Sequence, residues 1–297
     1  MDLARILCPV DFSEASEHAV AQAVVMAGFY KSHITALHVL TPLTLGALGV
    51  ATSAEEEPDR RRRLTSETFA GAMSKGIAVD VLIDVGQPVG LILDRAANLP
   101  ANLIVMGTHG TSGFQHLILG SVAEKVLRKA PCPVLTVPPC AQATSRLPFE
   151  HLLCAVDFSA PSRDALRSAF SLAQESGARL TLLHVLEWPW EEPPSPMPGE
   201  LPFEQGVALS EFRRYMEASA TNRLESLIPP SVPRSQVTVR LGNGKPYVQV
   251  LNAAAQERSD LIIVGVHGRN PIDMALFGST TNQIVRRATC PVLTLRR

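Results

Sequence analysis

The chain has 297 residues, 46% of them hydrophobic and 19% charged, which predicts about two globular domains with real apolar cores and excludes an intrinsically disordered chain. Lys and Arg number 27 against 28 Asp and Glu, a formal net charge of −1, so no overall field attracts nucleic acid or an anionic membrane. No apolar run approaches the ~20 residues of a transmembrane helix, the opening MDLARILCPVDFS turns polar too early for a secretory signal, and five cysteines without a CxxC pair or a Cys/His cluster suggest neither a disulfide framework nor a structural metal; a cytoplasmic protein with reduced thiols, no nucleic-acid partner and no membrane insertion is expected.

In chain order, RILCPV (5–10), ITALHVL (34–40), VDVLIDV (79–85), NLIVMG (102–107) and PVLTV (133–137) are short β-rich runs, apolar on both faces as buried parallel strands are. Ala15, Ala19, Ala23 and Ala27 step by four between the first two runs, the pattern of a helix lying close on a sheet. After the second run, LTLGALGVA (43–51) is more apolar than a loop needs and would pack on a partner or fold over a pocket. EEEPDRRRR (55–63) reads as the solvated start of a helix, with a lid over a bound ligand as the alternative.

From residue 151 the order begins again. HLLCAVDFS (151–159) repeats RILCPVDFS (5–13) and TLLHVL (181–186) repeats TALHVL (35–40), both at an offset of 146, with Ala165, Ala169 and Ala173 between them. DLIIVGVHG (260–268) repeats NLIVMGTHG (102–110) and TCPVLTL (289–295) repeats PCPVLTV (131–137), now at an offset of 158. The extra 12 residues belong with the Pro-rich stretch WPWEEPPSPMPGELP from Trp188, a loop. Two tandem doubly wound α/β domains follow, each a five-stranded parallel sheet flanked by helices, over 1–140 and 149–297 with a linker at 141–148. Ligand crevices in such sheets lie at the carboxyl ends of the strands, where the winding reverses.

After the fourth run of each copy stands a glycine pattern: Gly107, Gly110, then nine residues to Gly120 and Ser121, matched by Gly265, Gly268, Gly278 and Ser279. Glycines at a strand end let the backbone turn through positive φ and leave its amides open to an anion. Gly-Ser opening a helix offers a hydroxyl and unpaired amides at the positive end of the helix dipole, so phosphate fits both. Ser121 and Glu124 match an S-x-x-E capping box, lost in the second copy at Asn282. Turn punctuation is the competing reading of one such pattern; repetition at identical spacing weighs against it. Asp11 and Asp157, each before Phe-Ser at the end of a first strand, would either accept hydrogen bonds from ribose hydroxyls or cap the next helix. The sequence leaves both open. His38, His184, His109 and His267 have no partner at ligand spacing and read as structural or loop-packing residues, with His109 left open as a phosphate neighbour. Cys8 and Cys154 read as packed thiols, and Cys140, in the joint PPCAQATSRLP (138–148) between the copies, as the exposed one.

Together, VDFS at strand one, HV at strand two, G-x2-G-x9-G-S after strand four and CPVL at strand five resemble the universal stress protein family in its tandem two-domain form, and within it the ATP-binding branch. The resemblance implies a Rossmann-like, adenine nucleotide alpha hydrolase-like fold that binds ATP with Mg2+. It places the ribose on Asp11, the adenine on the Val39 backbone, the base pocket at Pro9 and Met106, and the phosphates on Gly107, Gly110, Gly120, Ser121 and Val122. In copy two the matching residues are Asp157, Val185, Val264, Gly265, Gly268, Gly278, Ser279 and Thr280, with Ala155 in place of the proline. Arg269-Asn270-Pro271 replaces Thr-Ser-Gly there, and Arg269 adds a cation where a γ-phosphate would lie. The resemblance further implies an intrachain pseudo-dimer through the fifth strands and a homodimer of chains. A stress-response module that senses nucleotide through conformation or oligomer state is the implied function. The alternatives are a slow ATPase or nucleotidyl transferase, or a nucleotide-free interaction scaffold. The chain has no GxxxxGK[ST] loop, which many rapid phosphoryl-transfer enzymes use.

Overall fold

The computed structural model describes residues 3–41, 51–110, 119–141, 149–187, 203–266 and 278–296. The first half runs β1 (Arg5–Val10), α1 (Glu14–Tyr30), β2 (His33–Leu40), α2 (Ala51–Thr68), the single turn α3 (Ala70–Met73), β3 (Val79–Val85), α4 (Pro88–Asn98), β4 (Leu103–Gly107), α5 (Ser121–Lys129) and β5 (Val134–Val137). The second runs β6 (His151–Ala155), α6 (Ala160–Ser176), β7 (Arg179–Leu186), α7 (Phe203–Ser226), β8 (Val237–Asn243), α8 (Pro246–Glu257), β9 (Leu261–Gly265), α9 (Ser279–Arg287) and β10 (Val292–Leu295).

The two five-stranded halves are one sheet. Its order is β3-β2-β1-β4-β5-β10-β9-β6-β7-β8; every neighbouring pair is parallel except β5 and β10, which meet antiparallel with Leu293 opposite Leu135. Both strands are fully buried and apolar apart from one threonine each, and left unpaired they would be exposed sticky edges. The threonines brace the seam: Thr136 Oγ1 donates to the Val292 carbonyl at 3.2 Å and Thr294 Oγ1 to the Val134 carbonyl at 3.1 Å. The fifth strands therefore pair within the chain.

Helices cover both faces, and each face has its own core spanning both halves. On one face, α1 and α6 lie close to the strands because Ala15, Ala19, Ala23, Ala27, Ala165, Ala169 and Ala173 are all buried against them. Tyr30 Oη, at the end of α1, donates to Glu175 on α6 at 2.6 Å, tying the two helices across the seam. The acidic-basic run differs from its expectation. It lies inside α2, which begins at Ala51, and Glu57 is buried rather than solvated, paired with Arg61 at 2.5 Å and Arg60 at 3.5 Å. Spacings of three and four place both arginines beside Glu57 on one helix face. Residues 43–50 of the apolar segment lie outside the described residues, as do 142–148 of the joint. Among the described residues no helix is long and apolar enough to cross a membrane.

The thiols sort by burial. Cys8 and Cys154, packed within β1 and β6, are pushed up to about 12 by desolvation, Cys290 to about 12 and Cys132 to about 11, whereas Cys140 is exposed. Since the thiolate is the reactive form, a thiol reagent at pH 8 should label Cys140 first, the half-buried Cys132 and Cys290 more slowly, and Cys8 and Cys154 only as the chain opens. Equal labelling of all five in the native protein would contradict this packing.

Candidate functional site

Strand register builds the candidate site. β1 and β2 pair from Arg5↔His33 to Val10↔His38, and β1 and β4 pair at Ile6↔Leu103 and Leu7↔Ile104. Continued by a few residues, these registers lay Asp11 beside Val39 and Pro9 beside Met106, at the carboxyl ends where the winding reverses between β1 and β4. The second half repeats this through β6, β7 and β9, bringing Asp157 beside Val185 and Ala155 beside Val264. Val39 and Met106, like Val185 and Val264, pack on the face of the sheet opposite α1 and α6.

The described motif glycines do not make a left-handed turn: among the described residues the positive-φ glycines are Gly76, Gly86, Gly177 and Gly244, none of them in the motif. A Cβ on Gly107 would stand 2.8 Å from the Ala15 carbonyl carbon, and one on Gly265 would stand 2.9 Å from that of Pro161. These two glycines seat the first turns of α1 and α6 against the sheet, a packing role that stands beside their reading as phosphate-loop residues. Gly110 is different. A Cβ there would fall 2.8 Å from Asp11 Oδ2, so the ribose-site candidate and the glycine loop touch. Gly120 donates its N–H to the Thr108 carbonyl at 2.8 Å, and Gly278 does the same to Val266 at 3.2 Å; each strap draws the next helix back over the strand end.

The capping box at Ser121 does not form. Gly120 and Gly278 are the N-caps of α5 and α9, neither helix has a side-chain cap, and Ser121 is already helical. The Glu124 N–H is taken by the Gly120 carbonyl at 2.9 Å and the Asn282 N–H by that of Gly278 at 2.8 Å. The amides of Ser121, Val122 and Ala123, and of Ser279, Thr280 and Thr281, are thus the helix-start donors with no acceptor inside their own helix, at the positive end of each dipole.

Asp11 is not a cap either. Ser13 and Ser159 cap α1 and α6 by accepting from Ser16 and Ser162. Asp11 Oδ1 accepts from the Ser13 N–H at 3.1 Å and its hydroxyl at 2.6 Å, and Asp157 Oδ1 from the Ser159 N–H at 2.9 Å. Asp11 is exposed, and its Oδ2 faces Gly110. Phe12 and Phe158, which turn the chain here at φ 61° and 65°, were legible only as the repeated VDFS. Gly268, His267 and Arg269 to Pro271 lie outside the described residues. Among those described, no group of three His, Cys, Asp or Glu is placed to hold a metal ion.

His38 and His184 are structural, bonded through Nδ1 to the Val10 carbonyl at 2.7 Å and to that of Val156 at 2.6 Å. His109 Nδ1 lies 2.8 Å from Thr108 Oγ1. Burial holds His38 below its ordinary pKa, reinforced by Arg61 and opposed by the Val10 carbonyl, Asp11 and Glu57. The unfolded chain then takes up a proton near pH ~6.5 while the folded chain resists it, so this contribution is present above that pH and lost as pH falls below it. His38→Asn should flatten the decline of melting temperature on the acid side of neutrality; an unchanged slope would contradict the buried neutral ring.

The family model described as the universal stress protein family matches residues 3–138 and again 148–296. A universal stress protein of Mycolicibacterium smegmatis is 28% identical over 307 residues, spanning 98% of this chain and 96% of its own. The crystal structure of a universal stress protein from Archaeoglobus fulgidus superposes with a TM-score of 0.70 at 23% identity, covering 99% of this chain and 96% of that one, which shows a shared fold. A universal stress protein crystallised in complex with cAMP matches 47% of this chain and 99% of its own at 23% identity, with a TM-score of 0.37.

Proposed function

The chain belongs to the universal stress protein family, and from that premise we propose that it binds ATP in the crevice at the carboxyl ends of β1, β2 and β4, and again at those of β6, β7 and β9. The observation that carries this reading is the junction of Asp11 with Gly110 beneath a helix start that no side chain caps. A ribose hydroxyl would donate to Asp11 Oδ2, and adenine would lie against Pro9 and Met106 with its edge read by the Val39 backbone. The phosphates would meet bare backbone at Gly110 and Gly120 and the amides of Ser121 and Val122. Copy two would use Asp157, Val185, Val264, Gly268, Gly278, Ser279 and Thr280 in the same way. Gly107 and Gly265 support both sites from behind. Mg2+ would accompany ATP as the counter-ion of its phosphates.

In this proposal the domains span 1–140 and 149–297, and the chain works in the cytoplasm as a homodimeric stress-response module whose shape or association follows nucleotide occupancy. The two crevices share one continuous sheet through β5 and β10, a mechanical link between them. Titration calorimetry with ATP and Mg2+, with cAMP as comparison ligand, tests the reading. Saturable ATP binding supports it; heat from cAMP alone would move the ligand to a cyclic nucleotide, and heat from neither would refute nucleotide binding.

A further inference from the structure

In both copies the residue after the strand-end aspartate is a phenylalanine in the left-handed region, Phe12 at φ 61° and Phe158 at φ 65°. Bulky side chains rarely adopt that conformation, and they keep it only where their surroundings enforce it. The enforcement is the same twice. The Phe12 ring packs on His38 with centroids 4.9 Å apart, and Phe158 packs on His184 at 4.5 Å. Each histidine is fixed by its Nδ1 bond to the last carbonyl before the aspartate, at Val10 and at Val156. On each phenylalanine lies a guanidinium, Arg61 with Cζ 5.5 Å from the ring centre and Arg223 at 4.0 Å, within cation–π range.

The two arginines do not keep the spacing of the flanking repeat. They are 162 positions apart, whereas the strands that follow them repeat at 158, so one arginine sits a helical turn out of step with its own repeat. The same contact is nevertheless reached in both halves, from α2 by Arg61 and from α7 by Arg223. Its product is also the same: with the phenylalanine turned left-handed, the next N–H, of Ser13 or Ser159, closes back on aspartate Oδ1. In copy one Oδ2 is thereby held against Gly110.

We infer that Arg61 and Arg223 are positioning residues: through Phe12–His38 and Phe158–His184 they lock the ribose-reading carboxylates of Asp11 and Asp157 from behind the crevice, and so couple the seating of α2 and α7 to nucleotide occupancy. This rests on the nucleotide reading of the crevice for its consequence, though not for its geometry. Arg61 is itself anchored to the buried Glu57, so in copy one the lock continues into the middle of α2.

The test uses two single variants of the full chain, Arg61→Met and Arg223→Met, which keep a long apolar stem and remove the cation. Hydrogen exchange is read at the Ser13 and Ser159 amides, each copy serving as internal reference for the other and the strand amides reporting global stability. Arg61→Met should speed exchange at Ser13 several-fold and leave Ser159 alone, and Arg223→Met should do the reverse. The second variant also leaves Glu57 untouched, which separates the lock from any penalty of an unpaired buried charge. Binding should follow, with the preference for ATP over 2′,3′-dideoxy-ATP falling several-fold at the altered site. Unchanged exchange at both serines in folded variants would overturn the inference. A wild-type chain that does not distinguish the two nucleotides would sink the ribose reading instead, with the exchange result still deciding the lock.

Discussion

Changing Asp11 and Asp157 together to asparagine is expected to weaken ATP binding at each site by about tenfold or more, with little change in melting temperature. Asparagine keeps the Oδ1 acceptor that closes the turn onto Ser13 and Ser159, so the backbone keeps its reason to turn. The group facing Gly110 becomes an amide N–H2, which cannot accept from a ribose hydroxyl. A hydrogen bond to a charged group is worth about 1.5–3 kcal/mol, and about 1.4 kcal/mol is a factor of ten in affinity. The dideoxy analogue lacks the hydroxyls and should bind both proteins alike. Equal loss for both nucleotides would show that the carboxylates act on something other than ribose.

Gly107→Ala and Gly110→Ala should part company although both stand in one motif. At Gly107 the new methyl meets the Ala15 main chain, with the carbonyl carbon at 2.8 Å and the oxygen at 2.9 Å, and a helix terminus cannot step aside as a side chain can. Overpacking of this kind typically costs about 1–3 kcal/mol, a fall of roughly 2–10 °C in melting temperature for a domain of this size. At Gly110 the methyl meets only the end of the Asp11 side chain, 2.8 Å away, which can rotate. That variant should melt like the parent and bind ATP more weakly. Thermal melts paired with ATP titration check both, and a stable Gly107→Ala protein with lost binding would show that Gly107 serves the phosphate loop and not the packing.

Much of the fold is legible in the letters because buried parallel strands are continuous apolar runs, and five of them recur in order. Duplication at constant spacing made the glycine pattern visible. What the letters hide is which glycine does what: Gly107 and Gly110 are alike until Ala15, ninety-two positions earlier, comes to lie against one and Asp11 against the other. The S-x-x-E pattern at Ser121 fails for a similar reason. The Gly120 N–H is strapped to the Thr108 carbonyl, which starts the helix one residue too early for Ser121 to cap it. Glu57 reads as one acid in a charged run, and only the placement of α2 buries it with Arg61. The Arg223 partner of Phe158 was hidden further, since it breaks the repeat that guided every other assignment.

The most direct measurement of nucleotide binding is to denature freshly purified protein, identify any released nucleotide by mass spectrometry and count it per chain, adding ATP first if none is carried through purification. Adenine nucleotide near two per chain is expected, one for each crevice, and near one would single out copy one as the competent half. A chain that releases none, and retains none after incubation with ATP and Mg2+, would contradict the proposal and leave the paired glycine loops as structural parts of a scaffold.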